Sequence, residues 1–243
     1  MAGGTMNKAK IAIALPLLAL LAACNMGADG NASSGESAPG ELAGARIGAP
    51  FTLTDQDGKP RGWDDFKGQY RLVYFGYTYC PDVCPVDLQR IMQAFAQFEK
   101  AQPALAAKVQ PIFISVDPAR DTSAILKPYV AAFHPRLIGL TGTPEQIAKV
   151  AKDFVVLYNV EGKPGDKDYL VSHSRTPYLF DPDGKPVALV PVDDPSTTGA
   201  SVDYQITGNE TRGNIELEAR NDEQSADEGS PSKVLAFLEK WVK

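Results

Sequence analysis

Residues Arg71 to Tyr77 read RLVYFGY, a β-branched and aromatic run with no alternation of polar and apolar positions. A strand covered on both faces needs such a run, because neither face meets water. It leads directly to Cys80. Beyond the next few residues Leu88, Ile91, Met92, Phe95 and Phe98 recur at three- and four-residue spacing, predicting an amphipathic helix from about Val83 to Lys100. A buried strand feeding a helix through a short loop commits the chain to α/β layers.

The rest of the pattern extends that class. Phe51, Leu53 and Asp57-Gly58 suggest a small hairpin leading to a short Trp63 to Lys67 segment, and Val109 to Val116 is a second buried strand. Asp121 reads as the N-cap of a helix reaching Phe133, and Thr143-Pro144 as the start of another running to about Lys152. Val155 to Tyr158, Tyr169 to Phe180 and Pro186 to Val190 read as strands, the last two joined at Asp181-Pro182-Asp183-Gly184, and Ser230-Pro231 opens a closing helix through Trp241. This order is similar to a thioredoxin-like mixed sheet flanked by helices, over residues 45–243. Within that domain, residues 193–230 are acidic and rich in Ser, Thr, Gly and Asn, and read as an exposed insertion before the C-terminal helix.

The N-terminus carries a different signal. Lys8 and Lys10 precede an apolar run of about eleven residues, Ile11 to Leu21, which is too short to span a bilayer, and Leu21-Ala22-Ala23-Cys24 resembles a lipoprotein cleavage site. The expectation is a signal peptide over 1–23, a lipidated Cys24 with a flexible tether over 24–44, and a periplasm-facing location on a membrane of the bacterial cell envelope. Loss of the signal leaves 22 Lys+Arg against 30 Asp+Glu, a charge of about −8, which excludes a nucleic-acid partner.

With Cys24 committed to lipid, only Cys80 and Cys84 remain, within Tyr79-Cys80-Pro81-Asp82-Val83-Cys84-Pro85 between the strand and the helix. Helical residues four apart have Cα atoms roughly 6 Å apart, close enough for a disulfide or for two sulfurs on one metal ion. Orphan N–H groups at a helix start favour the thiolate, which serves metal ligation and redox exchange alike. A specific metal site wants a third ligand, and the chain offers two histidines. His134 ends a predicted helix before Pro135 and is expected to face solvent, whereas His173 lies at the start of a late strand or in the loop entering it. The residues alone leave four readings open: a redox pair, a disulfide that staples a loop, a zinc site or a copper site. A peroxiredoxin is disfavoured, because Val73 and Tyr77 stand where its proline and hydroxyl residue belong.

The cysteine motif after an aromatic strand, Ser115-Val116-Asp117-Pro118-Ala119-Arg120-Asp121-Thr122, Gly139-Leu140-Thr141-Gly142, and His173 before Tyr178-Leu179-Phe180-Asp181-Pro182-Asp183-Gly184 together resemble Sco/SenC proteins over about residues 45–192. The resemblance implies a thioredoxin-like fold and one copper ion, Cu(I) or Cu(II), on Cys80, Cys84 and His173. It also implies a role in building the dinuclear copper site of cytochrome c oxidase, by delivering copper or by reducing that site's cysteines, with Cys80 and Cys84 as the redox pair. The implied partners are the copper-bearing oxidase subunit, a copper donor protein or thiol reductant, and a membrane through the lipid anchor. The rival is a metal-independent envelope thiol-disulfide oxidoreductase, whose motif usually has two residues between its cysteines rather than three. Two departures stand out: Ser172 replaces the acidic residue common before the histidine, and Thr176-Pro177 resembles the cis-proline segment of thioredoxins. Asp117, Arg120 and Asp121 read as turn, ion-pair and cap residues.

Overall fold

Strand β3 (Tyr70–Gly76) has all seven residues buried, so the sheet that holds it is covered on both faces. The computed structural model describes residues 40–162, 166–192 and 231–243, which all belong to one unit, Ser37–Lys243. Chain order before β3 is β1 (Thr52–Asp55), β2 (Pro60–Gly62) and a 3-10 turn (Trp63–Phe66); after it come α1 (Val83–Ala101), α2 (Pro103–Ala106), β4 (Val109–Ser115) and α3 (Ser123–Phe133). Then follow β5 (Ile138–Thr141), α4 (Pro144–Asp153), β6 (Tyr158–Glu161), β7 (Leu170–His173), β8 (Tyr178–Phe180), β9 (Pro186–Leu189) and α5 (Pro231–Trp241).

The main sheet runs β2-β1-β5-β4-β3-β8-β9. Its centre, β5-β4-β3, is parallel, and the outer pairings are antiparallel. This is the mixed, helix-flanked sheet expected from the sequence. Parallel neighbours need crossovers, which α1 and α3 supply. Trp63, Phe154 and Phe180 stack edge to face at 5.1 to 5.4 Å on one side of the core. β6 and β7 form a separate two-stranded sheet in which Tyr158 lies opposite His173.

Several elements depart from the expectation. The reading of Tyr169 to Phe180 as one strand fails: the chain leaves β7 at His173 and joins the main sheet only at Tyr178, beyond Pro177, which has no N–H for a ladder. Val155 to Tyr158 is not a strand, because Val155 adopts φ 57° and turns the chain before β6 begins. β5 was not anticipated, being four residues interrupted by Gly139. A Cβ there would lie 2.8 Å from Val130 Cγ1, so the glycine lets α3 lie close against the strand. The helix cap is Thr122, not Asp121, which is fully buried. No peptide bond among the described residues is cis, so Thr176-Pro177 is not a thioredoxin-type cis-proline segment. Residues 1–39, with Cys24, and the 193–230 insertion lie outside the described residues. Among those described, no helix is long and apolar enough to cross a membrane.

Candidate metal centre

β3 ends against the loop that carries Cys80, whose N–H donates to the Tyr77 carbonyl (3.3 Å). Cys84 is the second residue of α1 and fully buried, and its N–H donates to Cys80 Sγ (3.4 Å). The loop thus folds one sulfur over the first turn of the helix that holds the other. Gly76 makes room for this: a Cβ there would fall 3.2 Å from Cys84 Sγ and 3.0 Å from the Phe113 ring.

His173 reaches the cysteines from the detached hairpin. Its Nε2 is 3.0 Å from Cys84 Sγ, and its Nδ1–H donates to the Ser174 carbonyl (2.9 Å). That carbonyl does the orienting expected of an acidic neighbour, and Ser172 takes no part. The ring stands edge-on to Tyr77 (5.9 Å) and Tyr74 (6.5 Å), and Tyr77 Oη accepts the Val171 N–H (3.2 Å). The ligating atoms of Cys80, Cys84 and His173 all lie within 4.8 Å of one another. Two ligands each about 2.3 Å from one ion are at most about 4.6 Å apart, so small adjustments would close the three around a single metal. Both cysteines are free thiols.

The two sulfurs are electrostatically unequal. The hydrogen bond from Cys84 holds the Cys80 thiol down to about 4, against the opposing effect of burial and with help from His173. Cys84 is pushed well above the usual thiol range, first by burial and then by the Cys80 sulfur. The pair therefore shares one proton, with the negative charge on Cys80. Two soft sulfurs, one already anionic, and an imidazole suit a soft cation such as copper.

Around the site lie residues that the sequence reading did not assign to it. Asp87, fully buried on α1, accepts from Tyr74 Oη (3.1 Å) and from Arg175 Nε (3.1 Å) and Nη2 (2.8 Å). Burial pushes its carboxyl up against the pull of Arg175. A signal existed: Asp87 shares the apolar stripe of Cys84, Leu88 and Ile91, where a carboxylate needs a partner. Arg120 pairs with Asp117 (2.5 Å), lies 3.6 Å over the Tyr169 ring and 4.7 Å over that of Tyr79, and so ties the cysteine loop to the hairpin. Asp121 accepts from the Thr78 N–H and from the hydroxyls of Thr78 and Ser115. His134 is not solvent-facing as expected. It packs edge-on against Phe95 (5.2 Å) with Nε2 3.0 Å from Glu99, on a different part of α1 from Cys84.

Comparison with known proteins places these features in a family. The SCO1/SenC family model matches residues 39–203, more than half of the chain. A mitochondrial SCO2 homolog of Bos taurus is 51% identical over 134 residues, covering 55% of this chain and 50% of that protein. The chain spans about half the length of the curated relatives it matches. The copper-bound structure of Bradyrhizobium japonicum ScoI superposes with a TM-score of 0.56 at 33% identity, covering 81% of this chain and 99% of that one. Copper-bound Arabidopsis thaliana ScoI gives 0.54 at 41% identity, over 59% and 86%. The expected bacterial-envelope location is overturned: the matched relatives from cattle, human, yeast and Arabidopsis are mitochondrial proteins. A basic start and a short apolar run are features of composition, and they do not name the membrane that reads them. Fold, motif order and the convergence of two cysteines with one histidine agree with the family match, and the chain belongs to the SCO1/SenC family.

Proposed function

We propose that this chain binds one copper ion on Cys80, Cys84 and His173 and serves in the assembly of the dinuclear copper site of cytochrome c oxidase. The observation that carries the reading is the convergence of the three ligating atoms within 4.8 Å, with His173 brought in by a hairpin outside the main sheet. Thiolates suit Cu(I) and an imidazole keeps Cu(II) acceptable, so one site can hold copper through a change of oxidation state. Three protein ligands leave a position for a partner's ligand, which favours handing copper on over storing it. Leu157 (78% exposed), just before β6, and Leu170 (48%), on β7, leave apolar side chains exposed at the hairpin that carries His173, where a partner could dock.

The test is titration of the reduced protein with Cu(II), followed by optical absorption, and with Cu(I) against a competing chelator. One equivalent with a thiolate-to-copper absorption band is expected, lost in Cys80→Ser, Cys84→Ser and His173→Ala. Copper affinity that survives His173→Ala unaltered refutes the three-ligand site.

A second reading has its own support. A low-pKa Cys80 beside a protonated Cys84 is the asymmetry of an attacking and a resolving thiol, so reduction of the oxidase cysteines stays open to this pair. Dithiol exchange that persists in His173→Ala, with no copper bound by the wild type, selects it. Membrane attachment through Cys24 also belongs to the proposal, without reference to compartment. A native N-terminal peptide whose mass carries no acyl group counts against it.

A further inference from the structure

The β6–β7 hairpin makes no strand pairing with the main sheet, so something else must fix His173 relative to cysteines 89 and more residues earlier in the sequence. Two residues beyond His173, the Arg175 guanidinium forks onto Asp87, with Nε 3.1 Å from Oδ2 and Nη2 2.8 Å from Oδ1. Asp87 lies one helical turn after Cys84 on α1, is fully buried, and also accepts from Tyr74 Oη on β3 (3.1 Å). One carboxylate therefore ties together the helix that holds Cys84, the central strand and the segment leaving His173. Between His173 and Arg175 stands Ser174, whose carbonyl accepts the imidazole Nδ1–H (2.9 Å) and whose N–H donates to Leu157 (2.8 Å).

We propose that Asp87 and Arg175 are positioning residues: their buried fork fixes the Ser174 backbone so that its carbonyl aims His173 Nε2 at the two sulfurs. The proposal rests on the reading of His173 as a metal ligand. A bidentate guanidinium–carboxylate pair sets orientation as well as distance, and a lysine, as a point charge, restores only the charge.

The experiment uses the full reduced chain and compares wild type with Arg175→Ala, Arg175→Lys, His173→Ala and the double variant His173→Ala/Arg175→Ala. Because Arg175→Ala leaves a buried carboxylate without its fork, Asp87→Asn/Arg175→Ala serves as a variant free of that lone charge. Cu(I) affinity is read by chelator competition, and amide exchange at Ser174 and Val171 is read in the metal-free protein against the β3 amides. Arg175→Ala and the Asp87→Asn double variant are expected to lose about 10- to 100-fold in affinity, the usual cost of removing a partner that orients a ligand. Arg175→Lys should recover little of this loss. On the His173→Ala background, where the two cysteines alone retain weaker Cu(I) binding, Arg175→Ala should cost nothing more, since it acts through that ring. Exchange should quicken at Ser174 and Val171 and not in β3.

Wild-type affinity in both Arg175→Ala and the Asp87→Asn double variant overturns the proposal, as does a further loss on the His173→Ala background. If the wild type itself binds no copper, the ligand reading falls and the exchange data decide the positioning alone. Unchanged Ser174 exchange in the Asp87→Asn double variant then refutes it.

Discussion

Asp121 sets burial against hydrogen bonding in a way that a pH series can resolve. Its side chain is fully buried beneath the cysteine loop and accepts from the Thr78 N–H (3.0 Å) and from the Thr78 and Ser115 hydroxyls (both 2.5 Å). Each of those bonds favours the carboxylate, yet burial outweighs them and pushes the group up from 3.8 to about 6. A carboxyl whose folded value lies above its unfolded one contributes stability that is fully present below the unfolded value and is lost as pH rises through the folded value. A gap of about two pH units at about 1.4 kcal/mol each gives roughly 3 kcal/mol lost between pH values near 4 and near 7. Asp121→Asn holds the site in a neutral state of almost the same shape, so its own stability should lack this slope. Urea denaturation of the reduced, metal-free protein at several pH values should show Asp121→Asn gaining on wild type by about 2 to 3 kcal/mol from acid to neutral pH. A wild type that gains on the variant as pH rises would mean that the three hydrogen bonds outweigh burial, and the reasoning would be wrong.

Two more outcomes follow from the site. Cys80, held at about 4, should be alkylated by iodoacetamide in the metal-free protein at a rate that no longer rises with pH above neutrality; a half-point near the ordinary thiol value of 9.0 would show that the Cys84 hydrogen bond does not hold the thiolate. Gly76→Ala places a methyl group 3.2 Å from Cys84 Sγ and 3.0 Å from Phe113, so it should cost about 1 to 3 kcal/mol of stability and weaken copper binding together. Wild-type copper affinity in Gly76→Ala would show that the strand and sulfur have room to part.

What could be read along the chain was whatever neighbouring residues encode. The unbroken apolar run of β3, the spaced stripe of α1 and the Thr143-Pro144 start each specify an element through local periodicity or capping, and the structure has all three. The cysteine motif was legible for the same reason, since both sulfurs lie on one short segment between a strand and a helix. Local rules failed where distant contacts decide. Val155 has strand propensity but turns the chain, Asp121 has capping chemistry but is buried under Thr78, and His134 has the look of a surface residue but packs on Phe95. The sequence by itself determined the α/β class and the residue types able to hold a soft metal. The motif resemblance already put His173 with the cysteines, but only the tertiary structure decided how it reaches Cys84, from a hairpin outside the main sheet, and that Asp87 meets Arg175, across separations of 89 and 88 residues. Such pairings arise when a hairpin outside the main sheet docks on a buried carboxylate, and no residue's immediate neighbours in sequence carry that information.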